Sequence, residues 1–174
     1  NSDDISWQKY LLSESNENRI YILEEKLGGV FSGIYVSNDA GETFSKIDHG
    51  NKNYFGYESD ASDDSGQAPR DMDITIDPNN ADIVYMSGIL SWRSMDGGVS
   101  FNVSSQWMPE IATEENLGYC HADIDITEIV DETLFVGSDG GIFKANNPKG
   151  SITSSYYDDL SIGLGVCDKY RVIS

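Results

Sequence analysis

Positive charge is what this chain lacks most. Its 174 residues carry 11 Lys and Arg against 30 Asp and Glu, a formal net charge of −19. A surface this negative repels phosphate backbones, which argues against a nucleic-acid partner. Cysteine is scarce too, with only Cys120 and Cys167, too few for a disulfide framework or a Cys-rich zinc module. No apolar run approaches the roughly 20 residues of a membrane-spanning helix, so membrane insertion is not expected. Helix signals are sparse, and about two turns each are predicted over Ile5–Leu12 and Pro109–Asn116.

What is present is a repeat. Ser37-Asn38-Asp39-Ala40-Gly41-Glu42-Thr43-Phe44 and Ser94-Met95-Asp96-Gly97-Gly98-Val99-Ser100-Phe101 share the pattern Ser-x-Asp-x-Gly-x-(Thr/Ser)-aromatic. An Asp followed two residues later by Gly is turn chemistry: the carboxylate accepts backbone N–H bonds, and Gly supplies the positive φ that closes the hairpin. The first hydroxyl joins that network, and the terminal aromatic is expected to open the next strand and pack into the core. Each copy reads as a hairpin staple.

Short β-branched and aromatic segments precede both copies: Arg19–Leu23 and Gly33–Val36 before the first, Ile83–Met86 and Ile89–Trp92 before the second. A further strand, Asp71–Asp77, places Met72, Ile74 and Ile76 on one face. A third, worn unit follows in Ala122–Ile126, Thr133–Val136 and Gly141–Lys144, with Ala145-Asn146-Asn147-Pro148 where the staple belongs. The similar-looking Ser138-Asp139-Gly140-Gly141 sits one hairpin too early, and it joins two strands rather than opening a helix, so it is no phosphate cradle.

Four short antiparallel strands per unit predict an all-β fold, a β-propeller segment of about three blades. The blades cover roughly 1–50, 67–107 and 119–156, and 165–174 reads as the first strand of a next one. A ring takes about 4–8 blades. The expectation is therefore a segment of a longer protein, or a chain that closes with a partner.

The acidity has two readings. One is solubility in a salty or extracellular setting; the other is Ca2+, for which Asp60, Asp63 and Asp64 in the loop Glu58–Gly66 are the candidates, although their spacing departs from an EF-hand loop. Cys120 and Cys167 each fall just ahead of a first strand. They are open to a bridge between neighbouring blades or to two buried thiols.

The two octapeptides resemble the Asp-box, or BNR, repeats of sialidase-type, xyloglucanase-type and sortilin-type β-propellers. Ser37, Asp39, Gly41, Thr43 and Phe44 take the five motif positions, as do Ser94, Asp96, Gly98, Ser100 and Phe101, with Phe where Trp is usual. Residues 66–174, through Asp77-Pro78-Asn79-Asn80, Gln106-Trp107, His121-Ala122-Asp123 and Leu160–Leu164, look like large secreted BNR or sortilin-like proteins of Bacteroidetes-type bacteria. The resemblance implies a secreted or cell-surface location. It also places the Asp-box on an outer turn away from any catalytic centre, so it speaks for fold rather than activity.

Innermost strands line a propeller's channel, and here their apolar residues alternate with acids. Arg70, Asp71, His121, Asp123 and Tyr170 are the candidate ligand-binding residues at one channel mouth. His121 beside Asp123 reads as a structural hydrogen-bonding pair, as a metal or ligand site, or as a general base with its orienting carboxylate. Tyr54, Phe55, Tyr57, Trp107 and Tyr119 on the long insertions either stack on sugars or partners, or pack the loops. A sialidase-like arginine cluster cannot be assembled from Arg19, Arg70, Arg93 and Arg171. The function expected is a non-catalytic binding or scaffolding segment that recognises protein or glycan, or is completed by the remaining blades of its own propeller. The alternative is a glycoside hydrolase using Asp71 and Asp123, with His121.

Overall fold

The computed structural model describes residues 5–163. Cys167, Tyr170 and the strand expected over 165–174 lie outside the described residues. Within them the chain forms three antiparallel four-stranded sheets, each ordered as its strands occur in sequence. The first holds β1 (Ile5–Leu12), β2 (Ile20–Lys26), β3 (Val30–Ser37) and β4 (Ser45–Ile47). The second holds β5 (Asp73–Asp77), β6 (Asn80–Ser87), β7 (Ser91–Ser94) and β8 (Asn102–Val103). Two short strands, β9 (Ser105–Gln106) and β10 (Gly118–Tyr119), pair in parallel around helix α1 (Pro109–Glu115), the second of the two predicted helices. The third sheet holds β11 (Ile124–Val130), β12 (Thr133–Ser138), β13 (Gly141–Ala145) and β14 (Asp158–Asp159).

The helix expected over Ile5–Leu12 is instead strand β1, paired with β2 from Ile5↔Lys26 to Leu12↔Ile20. Its apolar spacing mimics a helix, but the ladder with β2 sets a period of two. Leu11 then packs on the core between the first two sheets, while Tyr10 and Leu12 turn to the other face.

Two cores lie between the sheets. Tyr21, Leu23 and Ile34 of the first sheet meet Ile74, Val84, Met86 and Trp92 of the second, with Tyr54 and Phe55 driven in from the loop after β4. Ile83 and Tyr85, on the other face of β6, meet Ile124, Leu134, Val136 and Phe143 of the third sheet, with Cys120 buried among them. Each such side chain contributes about 1.5–3 kcal/mol by leaving water. The alternation of burial along β6 therefore glues one strand to both neighbours.

The inner edges are tied by polar contacts. Buried Asp73 accepts the Thr127 amide at 2.6 Å from the third sheet and pairs with Lys9 of the first. Ser87 and Thr127 share a 2.5 Å hydrogen bond, and the Ile124 amide donates to the Gly88 carbonyl at 3.0 Å. These contacts set the three sheets in one orientation. The turns β2–β3, β6–β7 and β12–β13 then share one rim, and the octapeptides lie on the opposite rim.

The two octapeptides fold alike. Ser37 Oγ donates to Asp39 Oδ1 at 2.7 Å and accepts the Gly41 amide at 2.9 Å, while Asp39 accepts the Thr43 amide at 2.9 Å and the Thr43 hydroxyl at 2.6 Å. Ser94, Asp96, Gly98 and Ser100 repeat this at 2.7, 2.8, 2.9 and 2.6 Å. Gly41 and Gly98 have φ of 91° and 84°, a conformation that disfavours a Cβ. The donors of Thr43 and Ser37 hold the Asp39 carboxyl down at about 2, and those of Ser100 and Ser94 outweigh burial to lower Asp96.

The terminal aromatics part company. Phe101 stacks near His49 and Tyr54 of the first sheet's loop, at centroid distances of 5.8 and 5.3 Å. Phe44, expected in the core, is 40% exposed. Each outer turn packs on the preceding sheet, and among the described residues no sheet precedes the first.

The third outer turn has lost its Ser and Asp and is held from outside. Arg93 of β7 donates to the carbonyls of Pro148 at 2.7 Å and Gly150 at 2.6 Å, Tyr156 donates to Pro148 at 2.6 Å, and Lys149 pairs with Asp77 at 2.9 Å.

Removing the second staple with Asp96→Ala is expected to cost about 1–2 kcal/mol, the loss of charge-assisted bonds at an exposed turn. Asp39→Ala should cost less, because among the described residues no neighbouring sheet rests on its turn. Urea denaturation of both variants decides this; a larger loss for Asp39→Ala would contradict the packing order.

Candidate functional site

The inner ends of the second and third sheets meet at the rim opposite the octapeptides. Gln67–Arg70 leads into β5, His121–Asp123 leads into β11, and the β12–β13 turn carries Asp139. Asp123, expected inside a strand, instead has φ of 63° and stands just ahead of β11. That turn aims its carboxylate back at the second sheet.

Arg70 is the hub. Its guanidinium lies 3.2 Å from Asp123, 3.6 Å from Asp71 and 3.7 Å from Asp139. Gln67 Nε2 donates to the other Asp123 oxygen at 3.0 Å. His121 Nδ1 stands 3.0 Å from Asp139 Oδ1 and 3.3 Å from the Ala122 carbonyl, and its ring rests against Gly140. The structure thus brings together four of the five candidates, Arg70, Asp71, His121 and Asp123. Tyr170, the fifth, lies outside the described residues.

The electrostatics separate the carboxyls. Asp71 has no exposed surface, and neither of its oxygens accepts a hydrogen bond. Burial first, then the charges of Asp123, Asp125 and Asp139, push its carboxyl up to about 7, against the opposing pull of Arg70. Asp123 and Asp139 keep about a fifth of their side-chain surface exposed, and Arg70 and His121 nearly half. A molecule approaching this rim therefore meets a guanidinium and an imidazole backed by carboxylates, and cannot touch Asp71.

Asp139 and Gln67 are the members that sequence reasoning passed over. The available signal was the hairpin position of Ser138–Gly141, which puts Asp139 on the rim where the inner strands begin.

The other candidates are spread elsewhere. Asp60 accepts the Ser62 amide at 2.9 Å and Asp63 the Tyr57 amide at 2.7 Å, so both serve the turns of their own loop, while Asp64 is exposed. Among the described residues no group of three His, Cys, Asp or Glu is placed to hold a metal ion. Tyr54 and Phe55 are buried, Trp107 and Tyr119 pack against the two cores, and Tyr57 is 37% exposed. The loop aromatics thus mostly pack. No described helix is long and apolar enough to cross a membrane.

No family model matches the chain, and no curated protein matches its sequence. Among solved structures, the fold is similar to the crystal structure of the GH74 enzyme of Niastella koreensis, a glycoside hydrolase of β-propeller fold. The TM-score is 0.51 at 18% identity, over 87% of this chain and 22% of that one. The likeness concerns the fold, and this chain spans about a fifth of that enzyme's length.

Protonated Asp71 gives a pH prediction. Its folded pKa is raised, so the stability it allows is full below its unfolded value near 4 and is lost as pH rises towards about 7. Asp71→Asn should remove this decline, leaving the variant more stable than wild type at pH 8 relative to pH 4. Thermal melts across that range test it, and an unchanged slope would show that the Asp71 carboxyl is not held neutral.

Proposed function

We propose that this chain supplies three blades of an Asp-box β-propeller in a larger secreted or cell-surface protein, and that its own role is to bind or scaffold rather than to cleave. One observation carries this reading. The carboxylates a hydrolase would use are spent inside the protein, Asp71 fully buried beneath Arg70 and Asp123 fixed by Arg70 and Gln67. A hydrolytic pair must flank the scissile bond, about 5–9.5 Å apart across an open space.

The ends of the stack support the scaffolding part. Tyr10, Leu12 and Phe44 on the first sheet are 59%, 66% and 40% exposed, and Ile126, Val130 and Ile142 on the third are 50%, 47% and 43% exposed. The equivalent faces of the second sheet are buried in the two cores. Further blades of the same propeller would cover both ends. Ca2+ has no part in this reading.

A second reading, glycoside hydrolysis, is favoured by the fold likeness to the GH74 enzyme. In that case this chain would contribute part of a site completed by other blades.

The two readings separate in one experiment. The protein is incubated with a broad panel of oligosaccharides, and binding and newly formed reducing ends are measured together. Binding without cleavage is expected. Cleavage that Asp71→Asn or Asp123→Asn abolishes, with the fold retained, would establish the hydrolase instead.

A further inference from the structure

A cleft of about 730 Å³ opens on the same rim, between the tip of the β2–β3 hairpin and the loop that follows β4. It falls within the usual size of ligand sites, about 300–1,000 Å³. Its lining departs from the rest of the molecule in one respect. In a chain with nearly three acids per base, Lys26, Lys46 and Lys52 all face this cleft.

The other described lysines are not so gathered. Lys9 and Lys149 are consumed by the buried carboxylates Asp73 and Asp77, and Lys144 lies on the third sheet. The three cleft lysines form no ion pair among the described residues. Lys46 lies over the ring of Tyr35 with its Nζ 5.3 Å from the centroid, its stem crossing Gly33, and Lys52 donates to the Asp60 carbonyl at 2.6 Å.

Two of the three carboxylates beside them face backbone amides while keeping their charge. Asp48 accepts the Gly50 amide at 2.8 Å and Asp63 the Tyr57 amide at 2.7 Å. Among the described residues Lys26 and Lys46 thus have no carboxylate at ion-pair distance, Lys52 lies in the field of the Asp60 carboxylate, and two of the cleft's aspartates accept backbone amides. The amide of Asn51, the exposed Asp64 carboxylate and the exposed Leu27 side chain complete the wall.

We infer that this cleft binds a carboxylated saccharide, an oligosaccharide of uronic acids, with Lys26, Lys46 and Lys52 meeting the sugar carboxylates and Asn51 and Asp64 its hydroxyls. The inference rests on the glycan form of the binding reading above. The class follows from the charge. The net −19 opposes any anion, and opposes most the one whose charge is densest, so a polyphosphate with its charges on adjacent groups is disfavoured against a chain that spaces them. A uronate chain carries one charge per ring, which three spaced ammonium groups match, and its hydroxyls and C–H faces suit a wall of amide, carboxylate and leucine.

The test is calorimetric titration of the protein with trigalacturonate and with cellotriose, each at 50 and 300 mM NaCl. Trigalacturonate should bind, with an affinity that falls at least fivefold at the higher salt, because exposed charge pairs are screened. Lys26→Gln/Lys46→Gln should weaken it at least tenfold, Lys52→Gln to a lesser extent, and Lys144→Gln not at all. Equal binding of cellotriose, unmoved by the lysine changes, would overturn the acidic class while leaving the glycan-binding reading intact. Binding of neither sugar here, with another glycan of the panel bound and insensitive to these lysines, would remove the cleft from the account altogether.

Discussion

A single buried carboxylate holds the arrangement of the sheets. Asp73 stands at the start of β5, where three first strands converge, and its own carboxylate is buried. It receives the Thr127 amide from one neighbour and Lys9 from the other. The alternative at that point is an unpaired ion in a dry interior, which costs several kcal/mol. The placement of the sheets follows from this tie, since sliding either neighbour would carry its donor off the Asp73 carboxylate. The two apolar cores then supply the bulk of the stabilisation, while the inner edge fixes which strand faces which.

The same tie decides what is left for function. With Asp73 consumed between the sheets, the polar groups just ahead of β5 and β11 are the ones that reach the rim, and they gather around one guanidinium. Arg70 gathers Asp71, Asp123 and Asp139, and His121 completes the ring at Asp139. The cluster behaves as a clasp across two sheets. Farther out on that rim, the cleft beside the β2–β3 hairpin holds Lys26 and Lys46 with no carboxylate at ion-pair distance among the described residues.

Much of the fold could be read from residues alone, and the reasons are local. The octapeptides carry their hydrogen-bond partners within eight residues, so Ser94, Asp96 and Ser100 announce their own geometry. β5 was legible because Met72, Ile74 and Ile76 alternate. β1 was not, because Trp7, Tyr10 and Leu11 recur at helical spacing and the ladder that overrides it comes from β2. For the site, Arg70, Asp71, His121 and Asp123 were legible as neighbours of first strands. Asp139 was missed because its partner is 69 positions earlier in sequence, at Arg70, and only the pairing of β12 with β13 brings the two together. The turn of Asp123 into the left-handed region was equally hidden, being imposed by the chain's approach to β11.

The grip of Arg93 on the turn at Pro148–Gly150 bears on how such a chain changes over time. A turn that contains its own Ser, Asp and Gly is self-sufficient and can be copied or transplanted with its sheet as a unit. The third turn lacks that independence, and its order is shared between its own Tyr156 and a residue of the adjoining sheet. Copying the third sheet alone would deliver a turn held by Tyr156 but without Arg93. Any change at Arg93 is likewise judged by what happens 55 residues later in the chain, at Pro148. Wear in one repeat has been converted into dependence between two, which binds the second and third sheets into a single heritable module.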